Sequence, residues 1–423
     1  MIKHLFIIIL LFFYVYGVSF SFLPINTSKI VFLYLLILYS FYFFGKKQYK
    51  LVVNKDIFYI SLFLIILMIF SALSTALHST GDFSIFYAYF IMFTETLIGA
   101  ILFYKLYLKA YSFKGILDLF IWISLLQALI IIMMLVFEPF RELINSVTNK
   151  DITDLVERYG GFRGFGLAGS VTYDLAVFLS ISMMFITYLI SQGKDKRFFY
   201  ILSWIIIFIA VLMTGRSGWI GAILSLGILF YSFVNKNALK SILILVIMIF
   251  IFVFLIIIIL RNYYPETYEI LILHIIPYAF EMFINLYDSG SMSTHSTEIL
   301  SHMYFPVDIE TFLFGDGYYK NPNGYGYYMG TDAGYMRQIL FYGIFPSMIL
   351  YSFYAFGFYI LYKNTKVYKK VWVLILMLAG FYFLVQYKGA FMTGSGMNIK
   401  LFFILLIYSI MSYHNNRLHY DRV

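Results

Sequence analysis

The chain has no cysteine in its 423 residues, which excludes disulfides and thiol chemistry without locating a compartment. Charge is scarce: only 12% of residues are Asp, Glu, Lys or Arg, against 62% hydrophobic. A soluble domain needs far more polar surface to cover its core. No polar stretch is long enough to fold as a separate soluble domain. No glycine-rich run has the spacing of a nucleotide-binding fingerprint preceded by a strand. The formal net charge of +9 sits in short segments, not in a basic domain, so a nucleic-acid partner is excluded.

What the chain has instead is apolar length. Its mean hydropathy is +0.87, and runs of about twenty apolar residues, enough to cross a bilayer as a helix, recur from end to end. The expected fold is all-α, a polytopic transmembrane helix bundle of about twelve spans. The spans fall at 4–23, 29–44, 57–77, 85–104, 116–137, 171–191, 198–213, 219–234, 240–260, 337–362, 371–387 and 398–413. The first has no convincing small-residue cleavage site and reads as a retained helix, not a signal peptide. Three parts follow: 1–260 with nine spans and a loop at 138–170, a long loop at 261–336, and 337–423 with three spans and a tail.

Basic residues set the expected orientation. With both termini in the cytoplasm, 19 of the 30 basic residues fall inside, including the clusters at Lys46, Lys47 and Lys50 and at Lys363, Lys366, Lys369 and Lys370. Lysine and arginine then separate: 16 of 21 lysines are inside, whereas six of nine arginines (Arg141, Arg158, Arg163, Arg216, Arg261 and Arg337) are outside. Orientation does not call for arginine on the far face. A planar guanidinium that cannot deprotonate suits bidentate recognition of an anion such as phosphate; long loops that tolerate charge account for Arg141 and Arg261 equally well.

Four local patterns carry candidate chemistry. Thr214-Gly215-Arg216-Ser217-Gly218 joins two spans with almost no loop, so Arg216 lies near the interface, serving either a ligand or headgroup phosphates. Glu157-Arg158-Tyr159-Gly160-Gly161-Phe162-Arg163-Gly164-Phe165-Gly166 places two arginines among glycines that allow close approach to a phosphate, Arg163 being nearer the membrane. Phe314-Gly315-Asp316-Gly317 is followed by Thr331-Asp332-Ala333-Gly334-Tyr335-Met336-Arg337; Asp332 is either a helix cap or a general base. Between these lies a run rich in tyrosine, with Tyr318, Tyr319 and Tyr325, suited to stacking on sugars or to an interfacial belt. Glu95 is an intramembrane carboxylate, and Lys388 and Lys400 flank the last outer turn. His295 and His302 lack a third ligand, and Asp308-Ile309-Glu310 reads as a solvated turn, so no metal is expected.

The architecture with these short motifs resembles the Wzy-type O-antigen polymerases, which belong with the O-antigen ligases in one membrane glycosyltransferase superfamily. The resemblance implies a glycosyltransferase type-C-like enzyme of a Gram-negative inner membrane, working without cofactor in lipopolysaccharide biosynthesis. Its substrate would be an undecaprenyl-pyrophosphate-linked glycan among membrane lipids, and a chain-length regulator protein would be a partner. Arg216 and Arg163 (or Arg158) would neutralise the departing pyrophosphate, Asp332 would act in catalysis, and Arg337, Tyr318, Tyr319 and Tyr325 would bind substrate. The ligases carry a histidine where this chain has Asp332, which favours polymerase over ligase; a repeat-unit flippase is the alternative of another class.

Overall fold

The computed structural model describes residues 2–45, 54–148, 164–169, 172–193, 196–232, 254–255, 257–394 and 396–420. Among these it is all-helical, with two isolated β-bridges, Phe20 to Thr148 and Lys320 to Tyr327, and no strand. Among the described residues ten helices are long and apolar enough to cross a membrane: α1 (Thr27–Phe44), α2 (Lys55–Leu77), α3 (Ser84–Leu108), α4 (Phe113–Val136), α5 (Tyr173–Gln192), α6 (Arg197–Thr214), α7 (Pro265–Ser289), α8 (Ile344–Thr365), α9 (Val371–Lys388) and α10 (Met397–His414). Two shorter apolar helices, Ile2–Tyr16 and Ser217–Tyr231, accompany them. The chain is a multi-pass helical membrane protein.

Most helices match the expected spans to within a few residues, but three places differ. The expected first span stops at Tyr16, where Gly17 takes a positive φ of 54°. The expected tenth span, 337–362, is two helices, Gly334–Tyr342 and α8, divided at Gly343. Its φ of +80° is a backbone conformation suited to glycine, and a Cβ there would strike the Leu313 carbonyl. The expected long loop at 261–336 is largely helical and contains α7, which stays apolar enough to cross a membrane despite the scattered Glu266, Glu269, His274 and Glu281. Most of the expected 240–260 span lies outside the described residues.

The described residues divide into two compact units, Met1–Val31 with Lys114–Thr294 and Phe32–Phe113 with His295–Val423. They cut across the three consecutive parts expected from hydropathy, because a partition read from loop length cannot see which distant helices pack together.

In the first unit α5 is the central helix and packs against α6 and Ser217–Tyr231. Small residues permit this close approach. Ser180 Oγ donates to the Gly218 carbonyl (3.0 Å), Ser124 and Ser182 share a hydrogen bond of 2.6 Å, and Trp204 Nε1 donates to Ser225 Oγ (3.0 Å). A Cβ on Gly218 would collide with Val211 Cγ1. Gly218→Ala is therefore expected to lower stability by about 1–3 kcal/mol through overpacking, read as a lower midpoint of thermal unfolding in detergent.

In the second unit α8 packs on α2, α9 and α10. The Gly315–Gly317 segment docks on the C-terminus of helix Gly334–Tyr342: Asp316 N–H donates to the Leu340 carbonyl (2.7 Å) and Gly317 N–H to the Phe341 carbonyl (3.0 Å). These are carbonyls a helix end leaves without intrahelical partners. Ser74 Oγ donates to the same Phe341 carbonyl (2.6 Å) and Thr80 Oγ1 to the Gly317 carbonyl (2.8 Å), tying α2 to the motif.

Candidate functional site

The second unit carries the denser cluster, built on helix Gly334–Tyr342 and the tyrosine-rich run before it. Asp82, in the turn between α2 and α3, accepts hydrogen bonds from the backbone N–H groups of Ser84 (3.0 Å), Tyr319 (2.8 Å) and Lys320 (2.8 Å). Burial alone would raise its carboxyl, but these bonds outweigh that and hold the pKa below the ordinary aspartate value. Asp82 thereby fixes where the tyrosine run starts. The run then turns back on itself: Lys320 and Tyr327 bridge, Asn321 N–H donates to the Gly326 carbonyl (3.1 Å), and Gly326 takes a φ of +99°.

This hairpin lays two rings on one guanidinium. Arg337, 7% exposed, has its guanidinium carbon 3.6 Å from the ring centres of both Tyr319 and Tyr327. A desolvated cation–π contact contributes about 2 kcal/mol. With both faces covered, only the edge of the fork can reach a ligand. Its Nε and Nη2 are buried and make no hydrogen bond among the described residues. The next residue, Gln338, is wholly buried, and neither amide atom makes a hydrogen bond among the described residues. Buried donors without partners cost about 1–3 kcal/mol each and more when charged, so such a cluster in a folded protein marks a ligand site or ordered water.

Asp332 lies before the same helix, exposed to solvent and within electrostatic reach of Arg337 and Lys388. The protein packed around its carboxyl raises the pKa, outweighing the two cations and a backbone hydrogen bond that lower it. It is not the cap of helix Gly334–Tyr342, since that place falls to Ala333 without a side-chain bond. Thr331 Oγ1 accepts from Ala333 N–H (3.2 Å) in the turn before the helix, and the nearby aspartate that does cap a helix is Asp308, which accepts from Thr311 N–H (2.7 Å) at the start of helix Ile309–Phe314.

Of the tyrosines expected to bind substrate, Tyr319 joins the clamp, Tyr318 stacks on Tyr328 (5.2 Å between ring centres), and Tyr325 is fully exposed at the hairpin tip. Tyr327 belongs to the same expected run but is not one of the tyrosines singled out in it. The parallel stack of Tyr304 on Tyr387, 4.6 Å apart and 9° from coplanar, is not among the expected features; Tyr304 is close enough to Asp332 to feel its charge.

The first unit holds Arg216 by itself. Its guanidinium is paired with Glu281 and sits 4.5 Å from the ring centre of Tyr278, both on α7. The Thr214–Gly218 turn does not present a row of free N–H groups: those of Gly215, Gly218 and Trp219 donate to the carbonyls of Val211, Gly215 and Arg216. Arg158 and Arg163 lie outside the described residues. Among the described residues no group of three or more His, Asp or Glu side chains is placed to hold a metal ion.

The chain matches no family model, no curated protein and no solved structure. The functional reading rests on the residues alone.

A buried ion pair completes the inventory. Lys400 Nζ lies 3.3 Å from Glu95 Oε1, with the two side chains 4% and 8% exposed, joining α10 to α3. Glu95 stands in a π-helical stretch, Met92–Ile98, within α3, and such stretches are frequent at functional sites.

Proposed function

We propose that the chain is an O-antigen polymerase of an inner membrane, joining undecaprenyl-pyrophosphate-linked oligosaccharide repeats at the periplasmic face. The observation that carries this reading is the Arg337 clamp, a buried guanidinium whose unsatisfied edge donors suit an anion, next to a carboxylate with a raised pKa. In the reaction, Asp332 takes the proton of an acceptor-sugar hydroxyl as its oxygen attacks the anomeric carbon of the growing chain. The bond from that carbon to the pyrophosphate oxygen breaks, and the diphosphate leaves with the electron pair, its charge met by Arg337. Fixed donors aimed at developing charge are worth about 10²–10³ in rate each. The exposed tyrosines of the hairpin offer aromatic faces to sugar rings. Arg216 and Arg163 remain candidate phosphate ligands in this scheme, with Glu281 as the carboxylate a phosphate would have to replace at Arg216.

Deleting the gene and running the lipopolysaccharide on a gel tests the reading. Loss of the long-chain ladder, with one capped repeat left, is the expected outcome; an unchanged ladder refutes it. The acid limb of the rate gives a second test. A base must be deprotonated, so the rate falls as pH drops through the Asp332 pKa, and the protein packed around the carboxyl places that fall above the ordinary aspartate value of about 3.9. Asp332→Asn should remove the limb along with most of the rate. A normal profile in that variant would move the base elsewhere.

A repeat-unit flippase is the second reading, and the Lys400–Glu95 pair inside two membrane helices is what favours it. Reconstituted protein that moves lipid-linked repeats across vesicles without joining them would decide for transport.

A further inference from the structure

The first unit contains an apolar cavity of about 440 Å³ among α4, α6, helix Ser217–Tyr231, residues 257–260 and α7. Its walls include Trp204, Phe208, Trp219, Ala222, Ile223 and Ala279, and every lining residue is hydrophobic. Ile223, one of its lining residues, is 61% exposed, so the chamber opens onto the apolar outer surface. In a membrane-spanning chain that surface meets hydrocarbon. A dry apolar chamber of even about 150 Å³ binds apolar ligands, and this one opens where lipid chains are the solvent.

The rim of the chamber is polar in a specific way. Trp219 and Ala279, both lining residues, are joined by a hydrogen bond from Trp219 Nε1 to the Ala279 carbonyl (3.1 Å). Arg216 precedes Trp219 by three positions and Glu281 follows Ala279 by two, and these two side chains form an ion pair over Tyr278. Arg216 lies in the turn between two apolar helices, where spans meet the headgroup layer, and its buried Nε makes no hydrogen bond among the described residues. A cation and an anion side by side, with an aromatic face beneath, are the complement of a zwitterionic headgroup. The guanidinium matches phosphate, while the carboxylate matches a primary ammonium.

We infer that this chamber holds one hydrocarbon chain of a phosphatidylethanolamine molecule, its phosphate on Arg216 and its ammonium on Glu281. The lipid exchanges one ion pair for two and fills the cavity, whereas an anionic lipid without the ammonium takes Arg216 from Glu281 and brings it no cation in return. A quaternary choline head donates no hydrogen bond to the carboxylate. The site shares Arg216 with the glycan scheme, but its test reads lipid binding and not chain growth, so either reading can fail alone.

Native mass spectrometry of the full chain in detergent, titrated with phosphatidylethanolamine, phosphatidylglycerol and phosphatidylcholine of identical chains, tests it. Phosphatidylethanolamine should bind about tenfold tighter than either competitor, the loss of one charge-assisted hydrogen bond. Glu281→Gln should erase the preference over phosphatidylglycerol, and Arg216→Gln should weaken all three. Ala279→Phe, which fills the chamber, should abolish the adduct while thermal unfolding shows the protein still folded. Quenching of Trp204 and Trp219 by chain-brominated phosphatidylethanolamine, in a background of Trp122→Phe and Trp372→Phe, should vanish in the same variant. Equal binding of the three lipids, or an adduct that survives Ala279→Phe, overturns the inference.

Discussion

Replacing Arg337 with alanine is expected to abolish chain growth while leaving thermal stability almost unchanged. The two consequences have different sources. Two desolvated ring contacts contribute about 2 kcal/mol each, and two buried donors without partners cost about 1–3 kcal/mol each, so the terms nearly cancel in the resting protein. The rate loses the interaction made with departing charge, about 10²–10³. Arg337→Lys should recover little, because an ammonium has no plane for two rings to cover and no fork to offer an anion. Tyr327→Phe keeps the ring and should keep the rate; Tyr327→Ala exposes the guanidinium and should lower it. The readout is the lipopolysaccharide ladder alongside unfolding midpoints of the purified variants. A stability loss of several kcal/mol in Arg337→Ala, with the ladder intact, would make the clamp a structural brace.

The clamp also shows how much of a site a membrane sequence discloses. Helix positions are written locally, as runs of apolar residues of spanning length, and hydropathy therefore placed most helices within a few residues. Arg337 and Asp332 were also visible, because charge is rare in such a chain and stands out at the end of an apolar run. Their surroundings were not. Tyr327 looks like any of the chain's 40 tyrosines until a hairpin pinned by Asp82, some 240 residues earlier, lays it on Arg337. Glu281 stayed hidden for a different reason. Four ionisable residues spread through 266–281 make α7 read as a loop, although their spacing leaves enough apolar surface for a spanning helix. The break at Gly343 depends on contact with Leu313, which no periodicity encodes.

The Glu95–Lys400 pair should give the largest stability effect. Both side chains are nearly inaccessible, so removing one charge leaves the other buried without its counter-ion, at a cost of about 3–5 kcal/mol. Glu95→Gln and Lys400→Met, made singly, are expected to lower the unfolding midpoint steeply. The double variant Glu95→Leu with Lys400→Met should recover most of the loss, because a buried pair can be exchanged for apolar residues at little cost or with gain. That recovery separates two roles that the single variants cannot. A brace between α3 and α10 is as good in hydrocarbon as in charge, so the double variant should then polymerise normally. A pair that must ionise, release or pass a proton loses its function with its charges, however stable the protein. The polymerase reading expects the first result; a stable double variant with no transport of lipid-linked repeats in vesicles, where the parent chain transports them, would shift the chain to the flippase class.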